Sequence, residues 1–211
     1  MTQPRIAVLD YGIGNLRSAQ KALEHVGARA ELTSDAAVAR AADAVVLPGV
    51  GAFGACMDAL RVADLENVVH ESVMSGRPFL GICVGMQMLF TSSDEDPTHT
   101  GLDVIPGVVR WIPPGVKRPQ MQWNRLEFTR PDDPMFAGAD LVEAHDGAWV
   151  YFVHSLHGVP DDASTVAATC DYGANLNVAF RAGNVFATQF HPEKSGRSGL
   201  ALLKNFVGSV L

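Results

Sequence analysis

The sequence predicts an α/β fold with a mostly parallel central sheet and a β-rich extension in its second half. Two observations carry that reading. Short β-rich runs alternate with helical patterns through the first half, which is the signature of βαβ units. In the second half proline and glycine become frequent and apolar runs turn β-like one after another. Residues 5–10, RIAVLD, read as a buried strand. Leu16, Ala19, Ala22, Leu23 and Val26 then share one face of a helix over residues 15–26, with Gly27 as its stop signal. ARAEL is a second strand, DAAVARAA a short helix, and ADAVVLPG (residues 42–49) a third strand closing on Pro48 and Gly49. A longer helical region follows from about Phe53 to Met74. RPFLGI is a continuous apolar strand, as expected for one covered on both faces, and VGMQMLFTSS continues as helix. VIPGVVRWI, MQWNRLEF, AWVYFVHS, STVAATCDY, NVAFRA and NVFATQF supply the β-rich extension, packed beside the sheet. GLALLKNFVGSVL (residues 199–211) has helical spacing and docks a final helix.

Composition bounds the function. A chain of 211 residues, 47% hydrophobic, can bury a full core as one domain spanning residues 1–211. A net charge of -7 without any Lys/Arg cluster argues against a nucleic-acid partner, because a phosphate backbone demands clustered cations. Charge interrupts every apolar run well before the ~18 residues of a membrane span, so no membrane association is expected. The opening MTQPRIAVLD has no basic n-region or cleavage site, which makes a cytoplasmic location the expectation. Cys56, Cys83 and Cys170 are an odd set without framework spacing and read as thiols. His154 and His157 form H-x-x-H on a strand-like run, a spacing that does not converge two imidazoles, so no metal is predicted. DYGIGN is not a dinucleotide fingerprint, because Arg17 stands where the third glycine is required, and no cofactor is predicted.

The chemistry concentrates in GICVG, residues 81–85. This is the nucleophile-elbow pattern G-x-S-x-G with sulfur in place of oxygen. A cysteine in an apolar run is ordinarily inert core. Here glycines two residues to either side let the chain turn sharply from strand to helix, holding the Cys83 side chain above the sheet edge where the following helix N-terminus favours an anion. A thiolate nucleophile needs a base and a group to orient it. NVFATQFHPEKSG supplies both: a buried strand over residues 185–190 ends at His191, Pro192 biases His191 to extended geometry, and Glu193, two residues on, projects to the same side.

Through GICVGMQ and a distant HPE, the chain resembles the class I, or triad, glutamine amidotransferases. The resemblance implies a flavodoxin-like three-layer α/β/α fold and hydrolysis of L-glutamine by Cys83 as nucleophile, His191 as base and acid, and Glu193 as orienter. It makes LPGVG (residues 47–51) the oxyanion loop, with donors at Val50 and Gly51 beside the amide of Val84. Gln87 and Ser155 match positions that hold the substrate. LDYGIGNLRS, LPGVGAFG, the pair Trp123 and Asn124, YFVHS and HPEKS narrow the resemblance to the branch serving histidine biosynthesis. That branch implies a heterodimer with a (β/α)8-barrel cyclase subunit, docked over the triad face with Asn15, Trp123 and Lys194 at the seam and ammonia passing between the sites. Two alternatives stay open: the branch whose barrel partner makes pyridoxal phosphate, and a catalytically silent flavodoxin-like binding module. Gln120 and Gln122 stand where the family usually has His and Gly, and Leu156 and His157 where aromatic residues are common, all four in segments expected to meet the partner.

Overall fold

The computed structural model describes residues 3–138, 140–145 and 147–210. The first half runs β1 (Arg5–Leu9), α1 (Leu16–His25), β2 (Arg29–Thr33), α2 (Ala36–Ala41), β3 (Ala44–Gly49), α3 (Phe53–Val62), α4 (Glu66–Met74), β4 (Phe79–Cys83), α5 (Val84–Gln87) and β5 (Phe90–Ser93). The second half runs β6 (Ile105–Trp111), β7 (Gln120–Arg125), β8 (Glu127–Phe128), β9 (Trp149–His154), β10 (Leu156–Pro160), β11 (Val166–Asp171), β12 (Asn175–Ala182), β13 (Val185–Thr188) and α6 (Gly196–Gly208).

The main sheet has the order β2-β1-β3-β4-β13-β12-β11-β8. Its first five strands are parallel, so β1, β3, β4 and β13 end at one common edge. The walk from β1 to β2 goes one way and the walk through β3 to β4 goes the other. Right-handed crossovers in opposite directions place their helices on opposite faces, which gives three layers. Helix α1 packs with α6, and α2 packs with α4. Strands β3 and β4 are buried along their whole length, consistent with cover on both faces.

The structure corrects the sequence reading at four places. The helical region 53–74 is two helices, because Asp64 adopts a left-handed φ of 56° between them. Only one turn of helix follows Cys83; residues 90–93 form a strand paired with β6, and Phe90 packs edge-to-face on Phe180 at 5.2 Å. The β-rich segments do not all lie beside the sheet. Strands β8, β11 and β12 continue it with antiparallel pairing, whereas β10-β6-β5 and β7-β9 form two small sheets. The last helix starts at Gly196 rather than 199, and Leu211 lies outside the described residues.

Candidate active site

Strand β4 delivers Cys83 to the common edge, directly beside Gly49 of β3. Cys83 itself carries the strain of the corner, at φ 55° and ψ -114°. The two flanking glycines serve a different purpose from the one the motif suggests. A Cβ on Gly85 would fall 1.9 Å from the Leu47 carbonyl oxygen, and one on Gly81 would fall 2.9 Å from Leu89 Cδ1. They are small so that α5 can press against β3 at Gly85 and against its own strand β4 at Gly81, and that packing holds the cysteine in its unfavourable conformation.

The neighbouring strand β13 leads to His191. The His191 amide donates to the Tyr151 carbonyl at 3.2 Å, and the His191 carbonyl accepts from Ser195 Oγ at 2.6 Å. Ser195 Oγ in turn accepts from the Tyr151 amide at 3.0 Å, so β9 and Ser195 clamp the histidine backbone. Residues 192–194 form a 3-10 turn rather than continuing extended, and this turn brings Glu193 Oε1 to 2.8 Å from His191 Nδ1. Nδ1 therefore donates to the carboxylate, and Nε2 makes no hydrogen bond of normal geometry within the protein. Burial pushes the imidazole toward its neutral form, but the nearby Cys83 sulfur, then the hydrogen bond and charge of Glu193, outweigh it and hold His191 above its ordinary range. This is the direction a thiolate–imidazolium pair requires.

A cavity of about 250 Å³ opens onto these groups, lined by Val50, Gly51, Cys83, Gln87, Glu95 and His154 among others. It is smaller than the ~300–1,000 Å³ pockets of drug-sized ligands and suits a small molecule such as an amino acid. A wider groove of about 840 Å³ beside His25 and Arg197 contains none of the triad. On one wall Gly51 adopts φ 96°, the Pro48 carbonyl accepts from the buried Tyr11 hydroxyl at 2.6 Å, and the Val50 carbonyl accepts from Cys56 Sγ at 3.3 Å. Val84, as the first residue of α5, has an amide without an intrahelical acceptor. On another wall Gln87 donates to Gln189 at 3.0 Å.

The family model of the class-I glutamine amidotransferases matches residues 7–210 of this chain. The chain belongs to the class-I glutamine amidotransferases. Within this amidotransferase family it is 52% identical to a protein of Syntrophotalea carbinolica over 95% of this chain and 98% of that one. It is 49% identical to a protein of Geobacter sulfurreducens, covering 96% and 97% of the two chains. Both relatives carry the name imidazole glycerol phosphate synthase subunit HisH. Among solved structures, a glutamine amidotransferase aligns with TM-score 0.73 at 22% identity over 96% of this chain and 98% of that one. PurLQS from Thermotoga maritima aligns with TM-score 0.73 at 20% identity over the full length of both chains. These two likenesses show the amidotransferase fold.

The other residues singled out in the amidotransferase sequence divide by position. Val50, Gly51, Val84, Gln87 and Ser155 all line the cavity with Cys83 and His191. Asn15, Trp123 and Lys194 lie outside it and are exposed. Of the four departures from the family pattern, Gln122 is exposed and His157 half-buried, but Gln120 and Leu156 are buried and cannot form a partner surface. Gln120 instead meets His154 Nε2 at 2.9 Å, while His154 Nδ1 donates to the Leu156 carbonyl at 2.7 Å. Burial pushes the His154 imidazole down to about 4, so it is neutral. Cys56 and Cys170 are buried, and burial raises their thiols to about 11 and about 12. No group of three potential metal ligands occurs among the described residues, and no described helix is long and apolar enough to cross a membrane.

Three residues of the site escaped the sequence reading. Glu95 lines the cavity and accepts from the Phe53 amide at 2.8 Å, Gln189 donates to Cys83 Sγ at 3.8 Å, and Ser195 clamps His191. The last two sit inside the QFHPEKS segment already singled out, so their proximity to His191 was the available signal.

Proposed function

We propose that this chain is the glutaminase subunit of an imidazole glycerol phosphate synthase, a single amidotransferase domain over residues 1–211 that works in the cytoplasm as a heterodimer. The observation that carries the chemistry is the meeting of strained Cys83 with the His191–Glu193 pair across a small cavity. Near-full-length relatives of the same name support the pathway. In this reading the Cys83 thiolate adds to the carboxamide carbon of L-glutamine, and amides at Val84 and at Val50–Gly51 receive the charge that moves to oxygen. His191 gives its proton to the nitrogen, the C–N bond breaks, and ammonia leaves a thioester on Cys83. Water then loses a proton to His191 and adds to the thioester; glutamate departs and the thiolate–imidazolium pair is restored. Glu193 keeps Nδ1 protonated so that Nε2 does the work. Gln87, the Ser155 backbone and Glu95 hold the amino-acid end, the carboxylate complementing the α-ammonium group.

Ammonia must arrive undiluted at a second site, so the partner is a (β/α)8-barrel cyclase seated over the common strand edge, with Asn15, Trp123 and Lys194 at the seam. The assembled enzyme would yield imidazole glycerol phosphate and the carboxamide ribonucleotide AICAR. Glutamate release is to be measured from the chain alone, with the cyclase, and with the cyclase plus its nucleotide. Release that depends on partner and nucleotide, and vanishes in Cys83→Ala, is the expected result. Full activity from the isolated chain would overturn the partner assignment. Silence throughout, or turnover surviving Cys83→Ala, would overturn the chemistry.

A further inference from the structure

We infer that Gln189 is a working part of the nucleophile: its side-chain amide holds the Cys83 sulfur in the anionic, attacking state and links it to the substrate-facing residue Gln87. This rests on reading Cys83 as the nucleophile.

Gln189 is wholly buried, and its backbone amide is fixed by donation to the Val178 carbonyl at 2.9 Å. A side-chain amide has one accepting and one donating end. Gln87 Nε2 occupies the accepting end at 3.0 Å, which turns the Gln189 NH2 group to Cys83 Sγ at 3.8 Å. Cys83 is only 4% exposed, so a charged sulfur there depends on donors from the protein. His191 supplies charge and Gln189 supplies a fixed dipole from a second direction. Cys170 is buried too, and burial there keeps it a thiol. The Gln189 amide supports a cysteine already paired with a histidine. Because Gln87 lines the cavity, a ligand that engages its carbonyl oxygen polarises the chain from Gln87 through Gln189 to the sulfur.

The test is the pH profile of Cys83 alkylation by iodoacetamide on the full chain, read by mass spectrometry. It needs no turnover, so it stands or falls apart from the glutaminase assay. In Gln189→Met, which keeps the shape and removes the donor, the profile moves up by about one pH unit and the rate near neutrality falls roughly tenfold, the loss expected for a hydrogen bond to a charged group. In Gln189→Glu, which faces the sulfur with a carboxylate, it moves further in the same direction. A change confined to the maximal rate, with the profile in its native place, is what a packing role would give and would overturn the inference. So would native profiles in both variants. Should Gln189→Met melt early or fail to fold, Gln189→Glu and its melting curve decide the matter on the same criterion.

Discussion

Cys83 occupies a backbone conformation that costs on the order of 1–3 kcal/mol for a residue bearing a Cβ, and its neighbours enforce it. The second unusual residue is His191, whose charged form is favoured despite burial by Cys83 and Glu193. Its folded value lies above the unfolded one, so the protonated imidazole stabilises the fold fully below about pH 6.5 and ceases to do so as pH rises through the raised value. Glu193→Gln should thus lose about 2 kcal/mol near pH 6, the loss narrowing as pH rises through the raised value. Urea unfolding at a series of pH values checks this; a pH-independent difference would assign the loss to packing instead. Cys83 and His191 were legible as candidates because each lies in a compact local pattern, GICVG and HPE. Glu95 was not, since its place in the cavity depends on the fold of a loop 42 residues away from the Phe53 amide it accepts.

Elements show the same divide. Helix α1 ends in a Schellman motif, with Gly27 donating to the Glu24 carbonyl and Ala28 to the Leu23 carbonyl, both at 3.1 Å. Helix α3 ends in the same motif, Asp64 donating to Arg61 at 3.0 Å and Leu65 to Leu60 at 3.1 Å. The first stop was readable because it carries glycine at the left-handed position, and the second was hidden because it carries aspartate. Strand β5 was missed for another reason: an apolar run such as VGMQMLF has no decisive period, and only pairing with β6 chooses strand. Glycines within elements give an opposed pair of expectations. Gly85→Ala should destabilise by roughly 2–3 kcal/mol, because the intruding Cβ meets immovable backbone. Gly208→Ala, in open space at the end of α6, should stabilise by about 0.5–1 kcal/mol. Melting temperatures separate them, and equal shifts would refute the close approach of α5 to β3.

For the whole molecule, parallel pairing is what gathers the site. The ends of β1, β3, β4 and β13 share one edge, so the loop at residues 47–51, Cys83 and His191 meet although they are far apart in the chain. Large apolar side chains remain exposed on the small sheets, Trp123 at 48% and Met121 at 62% on β7. Trp123 stands edge-to-face with Tyr151, ring centroids 6.2 Å apart, a rigid anchor of the kind that dominates interfaces. Trp123→Ala should weaken capture of the proposed barrel cyclase by about tenfold while leaving Cys83 alkylation unchanged. Val62→Ala, an exposed apolar truncation at the far end of α3, should leave capture as it was. Binding titrations that show equal loss in both would remove Trp123 from the seam.

The amino-acid sequence by itself determined the α/β class, most first-half elements and the residues expected to do chemistry, because periodicity, glycine stops and short catalytic patterns are local properties. Tertiary structure alone decided that β8, β11 and β12 extend the main sheet, that Gln120 and Leu156 turn inward, and that Gln189 stands against Cys83. Each of those depends on contacts between distant segments, and side chains such as a buried glutamine acquire meaning only from what the fold sets beside them.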